Sequence, residues 1–290
     1  MRTSSPPTHL TASAVLVSAI VLCFFILWGG QQFAVLVLSG LSTEAPNAAL
    51  DETIASAIIF GLLLVAGLVG GWLCGLNAAG LGPRPASSLG EGSAIGLGGL
   101  LVATALAAIA GVLHRHDGGS SAGLFLWGTA LIVLQAGSEE LFFRGWLQPV
   151  LVRSWGAWGI LVTAIAFAAL HLVAGASAGI SLLNLFLGGL LFGLLAARSG
   201  GIAAAVAAHF AWNWAEQLVL GLDPNPGSGS FGSILNFDLI GSAWWGGSDE
   251  GLNASIAMTF ALAILLTPLL ILPARIPGLP GLYRSGRAPA

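Results

Sequence analysis

Seven residues in the middle of this chain have types and spacings that suit chemistry. Glu139 and Glu140 are followed by Arg144, Phe167 by His171, and His209 by Asn213. On a helix, positions four apart share a face, so Glu140 and Arg144 can pair, with the carboxylate N-terminal to its cation as such pairs prefer. Glu139 is turned about 100° from Glu140 and lacks that partner. His209 and Asn213 point the same way. One or two carboxylates, two imidazoles and a carboxamide suit the activation of water. A carboxylate in apolar surroundings is a better general base near neutral pH, and imidazole or amide donors steady an oxyanion. Alternatively, Glu139, His171 and His209 form a three-ligand set for catalytic zinc, with water in the fourth position. Either arrangement would hydrolyse a substrate. No serine or cysteine has an evident base near it in the sequence, which disfavours a covalent nucleophile.

The elements that must position these residues are membrane helices. Of 290 residues, 56% are hydrophobic and 7% charged, with a mean hydropathy of +0.92. Soluble domains carry about a quarter charged residues. Such a composition excludes an ordinary cytosolic enzyme, a nucleic-acid binder and a disordered chain. Apolar runs such as Thr53–Trp72 and Gly201–His209 are continuous and do not alternate, which excludes a barrel. The expected fold is all-α, a polytopic membrane protein with about eight transmembrane helices and an intramembrane site. The spans are Leu10–Gly30, Ile54–Leu76, Gly92–Leu113, Ala122–Val152, Ala157–Ala174, Ile180–Ala197, Gly201–Leu222 and Ala254–Leu272. The first is too long an apolar run for a cleaved leader. Residues 1–121 then hold three N-terminal helices, 122–222 a catalytic core of four, and 223–290 a loop, the eighth helix and a tail.

Charge placement orients the spans. Arg2, Arg84, Arg153, Arg198, Arg275, Arg284 and Arg287 fall on one side. The other has Arg115 with Glu44, Asp51, Glu52, Asp117, Asp223, Asp238, Asp249 and Glu250. The positive-inside rule places both termini in the cytoplasm. A bias to Gly, Ala and Arg without lysine fits a GC-rich genome and a bacterial inner membrane. Measured along the helices at ~1.5 Å per residue, Glu139, His171, His209 and Asn213 reach a similar depth. Charges there cost about 2.5–3.5 kcal/mol, so they are functional candidates by default. Asp223–Gly251, rich in Gly, Ser, Asn and Trp, reads as a surface loop with Trp244 and Trp245 at headgroup level.

In order and on successive helices, Glu-Glu-x-x-x-Arg, Phe-x-x-x-His and His-x-x-x-Asn resemble the CAAX-processing and bacteriocin-processing (CPBP, or ABI) family. That family includes the type II CAAX prenyl endopeptidases. The likeness covers about Ala122 to Leu222, and the loop Gly80–Pro85 also resembles one that precedes the core in bacterial members. The resemblance implies an intramembrane metalloendopeptidase open towards the cytoplasm, acting on peptides or membrane proteins within the lipid bilayer. It implies that Glu139 and His171 activate water, that His209 and Asn213 stabilise the oxyanion, and that Arg144 holds Glu140. Zinc on Glu139, His171 and His209 is the implied cofactor, although a metal-free water is also argued for the family.

Plainer readings apply elsewhere. Glu216 and Gln135 read as structural or supporting, Phe167 as packing that shapes the pocket, and His9, His114 and His116 as solvated. Trp146, Trp155 and Trp158 read as an interfacial belt, and Gly188, Gly189 and Gly193 as close helix packing. Cys23 and Cys74 read as small apolar filler. An ion-coupled transporter and a non-catalytic scaffold or immunity protein of the same fold are the other function classes.

Overall fold

Helices satisfy their own backbone, so a chain this apolar is built from them, and local signals set where each begins. A computed structural model describes residues 9–41, 47–225 and 229–272. Its helices are α1 (His9–Leu41), α2 (Ala48–Leu73), α3 (Pro85–Ile109), α4 (Ala122–Glu140), α5 (Gln148–Trp155), α6 (Trp158–Leu170), α7 (Gly179–Ser199), α8 (Ala203–Trp214) and α9 (Ile256–Ile271). Asn47, Ser121 and Ser255 cap α2, α4 and α9 by accepting the backbone N–H three residues on. Pro85 opens α3, and Gly200, with φ of 72°, closes α7. The π-helical turn Leu141–Leu147 joins α4 to α5 without a break, and a second, Ala215–Leu220, extends α8.

Each of the eight expected stretches contains helix, although the third runs past its helix end at Ile109 and the seventh past Leu220. Among the described residues, four helices are long and apolar enough to cross a membrane: Ala12–Gly40, Ala48–Leu73, Pro85–Ile109 and Gly179–Ser199. Two more, Trp158–Leu170 and Ile256–Ile271, are apolar but shorter. The remaining two stretches are the helices continued by π turns. The fifth stretch stops early, because the chain turns away at His171. Arg2, Glu44, Arg275, Arg284 and Arg287 lie outside the described residues, as does the His9 side chain.

Segment 223–251 is not a plain loop. Strand β1 (Leu113–Arg115) pairs antiparallel with β3 (Phe237–Leu239), which pairs parallel with β2 (Leu222–Asp223). Leu239 of β3 is buried, and so are Phe231 and Leu252 in the same segment. The cap is tied down by Glu250, whose Oε1 accepts from Ser177 N, Ser177 Oγ and Ala178 N at the start of α7. Asn184 on α7 donates to the carbonyls of Asn253 and Ser255 and accepts from Thr259 Oγ1. His116 is not simply solvated, since its Nε2 meets Asp238 Oδ2 at 3.0 Å. Trp244 stays exposed as expected. At the opposite end Arg198 donates to the carbonyls of Leu269 and Leu272, closing α9.

Glycine sets the tightest helix contact. A Cβ at Gly92 would lie 2.2 Å from Ala204 O, and one at Gly96 2.2 Å from Ala208 O. Helices α3 and α8 therefore meet backbone to backbone, the small-xxx-small arrangement favoured in lipid. This contact fixes Ala208 and, next to it, His209. The loop Gly80–Gly82 clasps the start of α8, with Ile202 N donating to Gly80 O. Among the glycines singled out on α7, Gly189 and Gly193 do pack closely, but Gly188 has nothing within 4 Å of its Cβ direction. Trp146 is not interfacial. It is 6% exposed and lies over Gly70, whose missing Cβ leaves room for the indole. Trp158 is exposed, as a belt residue should be.

Two measurements check these contacts. Gly96→Ala is expected to cost about 1–3 kcal/mol through overpacking, whereas Gly98→Ala, facing open space, costs nothing. Thermal midpoints in one detergent compare them directly. For Glu250, partial burial raises the pKa, but hydrogen bonds from Ala178, Ser181 and Ser177 outweigh it and leave the carboxyl below its usual value. The stabilisation is therefore complete above the ordinary carboxylate range and is lost as pH falls through the lowered value. Protease sensitivity of the cap should rise in acid, and Glu250→Ala should show it already at neutral pH.

Candidate active site

The site is assembled where α4 ends and the first π turn begins. Glu140, the last residue of α4, is fully buried, and Arg144 is 2% exposed. Arg144 Nη1 bonds Glu140 Oε1 at 2.9 Å, and Nη2 bonds the Gly189 carbonyl at 2.9 Å. One turn on, Gln148 Nε2 bonds the Gly193 carbonyl at 3.0 Å. Two side chains of the α4–α5 run thus reach two carbonyls of α7 at glycines, where the helices come close enough to allow it. The guanidinium also lies over the Phe167 ring at 4.6 Å.

Glu140 has a second partner that spacing along one helix could not reveal. His209 Nδ1 lies 2.9 Å from the same Glu140 Oε1. A carboxylate only accepts, so Nδ1 carries the proton and Nε2 is turned the other way. That nitrogen faces Glu139 Oε2 at 3.9 Å. Phe192 stacks flat on the imidazole, with ring centres 4.7 Å apart, and holds its plane. His171, at the C-terminal end of α6, lies 2.7 Å from Phe167 O through Nδ1. A carbonyl also only accepts, so in the neutral imidazole Nε2 presents a lone pair.

Glu139, His171, His209 and Asn213 all line one cavity of about 780 Å³. Phe167 lines it too and touches His171 and His209 through its ring. Glu140 and Arg144 stand behind the wall. All four proposed catalytic residues thus line the same cavity, while Glu140, bonded to His209, and Arg144 lie outside its lining. Gln135 joins the wall, and so does Glu216, which sequence reasoning passed over as structural. Its spacing already put it on the His209–Asn213 face, and only its depth nearer the outer surface favoured the structural reading. Gly188 is also in the wall, so its missing side chain leaves cavity space rather than a helix contact.

The metal reading can be tested on the donor set. Among the described residues no three His, Cys, Asp or Glu side chains stand close enough together to hold a metal ion. Glu139, His171 and His209 as placed do not make a ligand set, and no step below is routed through zinc.

The fold and site are those of a helical membrane protein with a buried Glu–His–Asn cavity. Residues 120–215, about a third of the chain, match the model of the Rce1-like family, described as type II CAAX prenyl endopeptidase Rce1-like. All seven motif residues lie inside that segment, so the resemblance read from the motifs and the family match coincide. No curated protein matches the chain.

Removing Arg144 leaves the Glu140 carboxylate buried beside His209 alone. Arg144→Ala is expected to cost about 3–5 kcal/mol, read as a lower thermal midpoint. Adding Glu140→Gln to that variant should recover part of the loss. An Arg144→Ala protein as stable as wild type would show that the charge is not compensated here.

Proposed function

We propose that the chain is an intramembrane endopeptidase that hydrolyses peptide bonds of membrane-associated or lipid-modified proteins. The observation that carries this reading is the facing pair of Glu139 Oε2 and His209 Nε2, 3.9 Å apart at the cavity wall. That gap is too wide for a direct hydrogen bond and suits one oxygen held by both groups. Glu139 takes a proton from this water. His171, in the wall of the same cavity, assists in activating it. The attacked carbonyl oxygen becomes an oxyanion, which the Asn213 amide and a protonated His209 stabilise. Glu139 then returns the proton to the leaving amine.

The family match supports peptide hydrolysis as the reaction class.

The arginine distribution supports an orientation as well. Among the described residues, Arg84, Arg153 and Arg198 lie at the end opposite the cap, whereas the cap end has Arg115 amid acidic residues. The cap end is then extracytoplasmic. The cavity wall runs to Asp249 and Glu250 in the cap, so substrate enters from that side. This departs from the cytoplasmic opening that the resemblance implies.

Cleavage of a membrane-peptide library by the reconstituted protein tests the chemistry. Glu139→Ala, His171→Ala and His209→Ala should each lower the rate by about 10²–10⁴-fold while the protein still accumulates. Full activity in any one overturns its role. Wild type should keep cleaving in excess chelator, and loss that added zinc restores would place the water on a metal. For the orientation, Asp249→Cys in a background lacking Cys23 and Cys74 should react with an impermeant maleimide on intact cells. Reaction only after permeabilisation would reverse it.

A further inference from the structure

The cavity wall is rich in carboxyl groups. Glu139, Glu216, Asp249 and Glu250 contribute to its wall, and among the described residues no arginine does. The whole sequence contains no lysine. Two of the four carboxylates already have roles, since Glu139 faces His209 and Glu250 is bonded by Ser177 and Ala178. Asp249 is exposed at the rim.

Glu216 differs from all three. It is 4% exposed, on the π turn that continues α8, with Oε2 accepting from Trp212 Nε1 at 3.1 Å. Among the described residues no cation is paired with it. The same bundle supplies Arg144 to its other fully buried carboxylate, Glu140. A buried carboxylate in an apolar bundle is costly without a counter-charge. Glu216 instead faces a cavity large enough for a peptide segment, so the counter-charge can arrive with the substrate.

Distance along the helix gives the register. Glu216 follows His209 by seven positions, which is about 10 Å along the axis at ~1.5 Å per residue. An extended peptide covers about 3.3–3.6 Å per residue, so the two points are about three peptide residues apart.

We propose that Glu216 anchors a subsite for a cationic side chain, so that the preferred substrates carry Arg or Lys about three residues from the cleaved bond, on the side towards the cap. This rests on the peptidase reading above and narrows its substrate class. It also disfavours a free carboxyl terminus at that distance, such as a C-terminal CAAX box presents. That carboxylate would meet Glu216 with no arginine in the wall to receive it.

The test uses full-length protein in liposomes and three peptides that differ only at that third position, with Arg, citrulline or Glu. Citrulline keeps the shape of arginine and removes its charge. Wild type should prefer Arg over citrulline by about tenfold or more in kcat/KM, as a charge-assisted bond predicts, and should cleave the Glu peptide least. Glu216→Gln should bring the Arg-to-citrulline ratio close to one. A ratio near one in wild type, or an unchanged ratio in Glu216→Gln, overturns the subsite. A second arm reads binding by fluorescence anisotropy on Glu139→Ala, in which cleavage is removed and Glu216 is intact. Tighter binding of the Arg peptide supports the subsite there, and equal binding of Arg and citrulline peptides overturns it. If wild type cleaves none of the peptides, the peptidase reading fails, and the binding arm still decides the role of Glu216.

Discussion

The rest of the site depends on the compensation of one buried charge. Glu140 sits with no exposure inside an apolar bundle, and a single oxygen of its carboxylate serves both Arg144 and His209. Neither bond is optional. Without the guanidinium the carboxylate is a costly orphan, and without the carboxylate His209 loses the acceptor that turns its other nitrogen towards Glu139. The same guanidinium is fastened to α7 through Gly189 O and covered by Phe167. One ion pair thus joins α4, α7 and α8 and orients an imidazole at the cavity. In the proposed mechanism the bracing pair is therefore also what aims the imidazole.

Glycine makes this geometry possible. Charges in lipid cannot be brought together by long, mobile side chains alone, because the helices themselves must approach. Gly92 and Gly96 let α3 press on the carbonyls of α8, which leaves His209 no freedom to drift along its axis. Gly189 and Gly193 expose the carbonyls that Arg144 and Gln148 reach. The π turn after Glu140 contributes as well. Its extra residue per turn shifts the helix phase beyond the site, and such turns recur at functional positions. With that shift, Trp146 faces α2 and is buried over Gly70 rather than at an interface.

Much of this was legible in the sequence, for reasons specific to each feature. The helices follow from long apolar runs, which have few alternatives in lipid. The pairing of Glu140 with Arg144 follows from a spacing of four on one helix. The sequence places Glu139, His171, His209 and Asn213 at similar positions along helices of opposite direction, and all four line one cavity. What was not legible involves contacts between distant segments. The bond from His209 to Glu140 spans 69 residues and has no local signature. The small sheet is made of strands two or three residues long, whose pairing partners lie more than a hundred positions apart at β1 and β3. Glu216 was visible on the right face, but depth alone suggested the surface, and only the cavity wall shows where its carboxylate sits.

The fastening of α7 to the cap also bears on how the protein is made. Asn184 takes its partners from Asn253, Ser255 and Thr259, and the N-terminus of α7 takes its capping carboxylate from Glu250. Every one of these is synthesised some 70 residues after the helix it secures. The wall of the cavity on the α7 side is therefore secured only once the segment running into α9 has been synthesised.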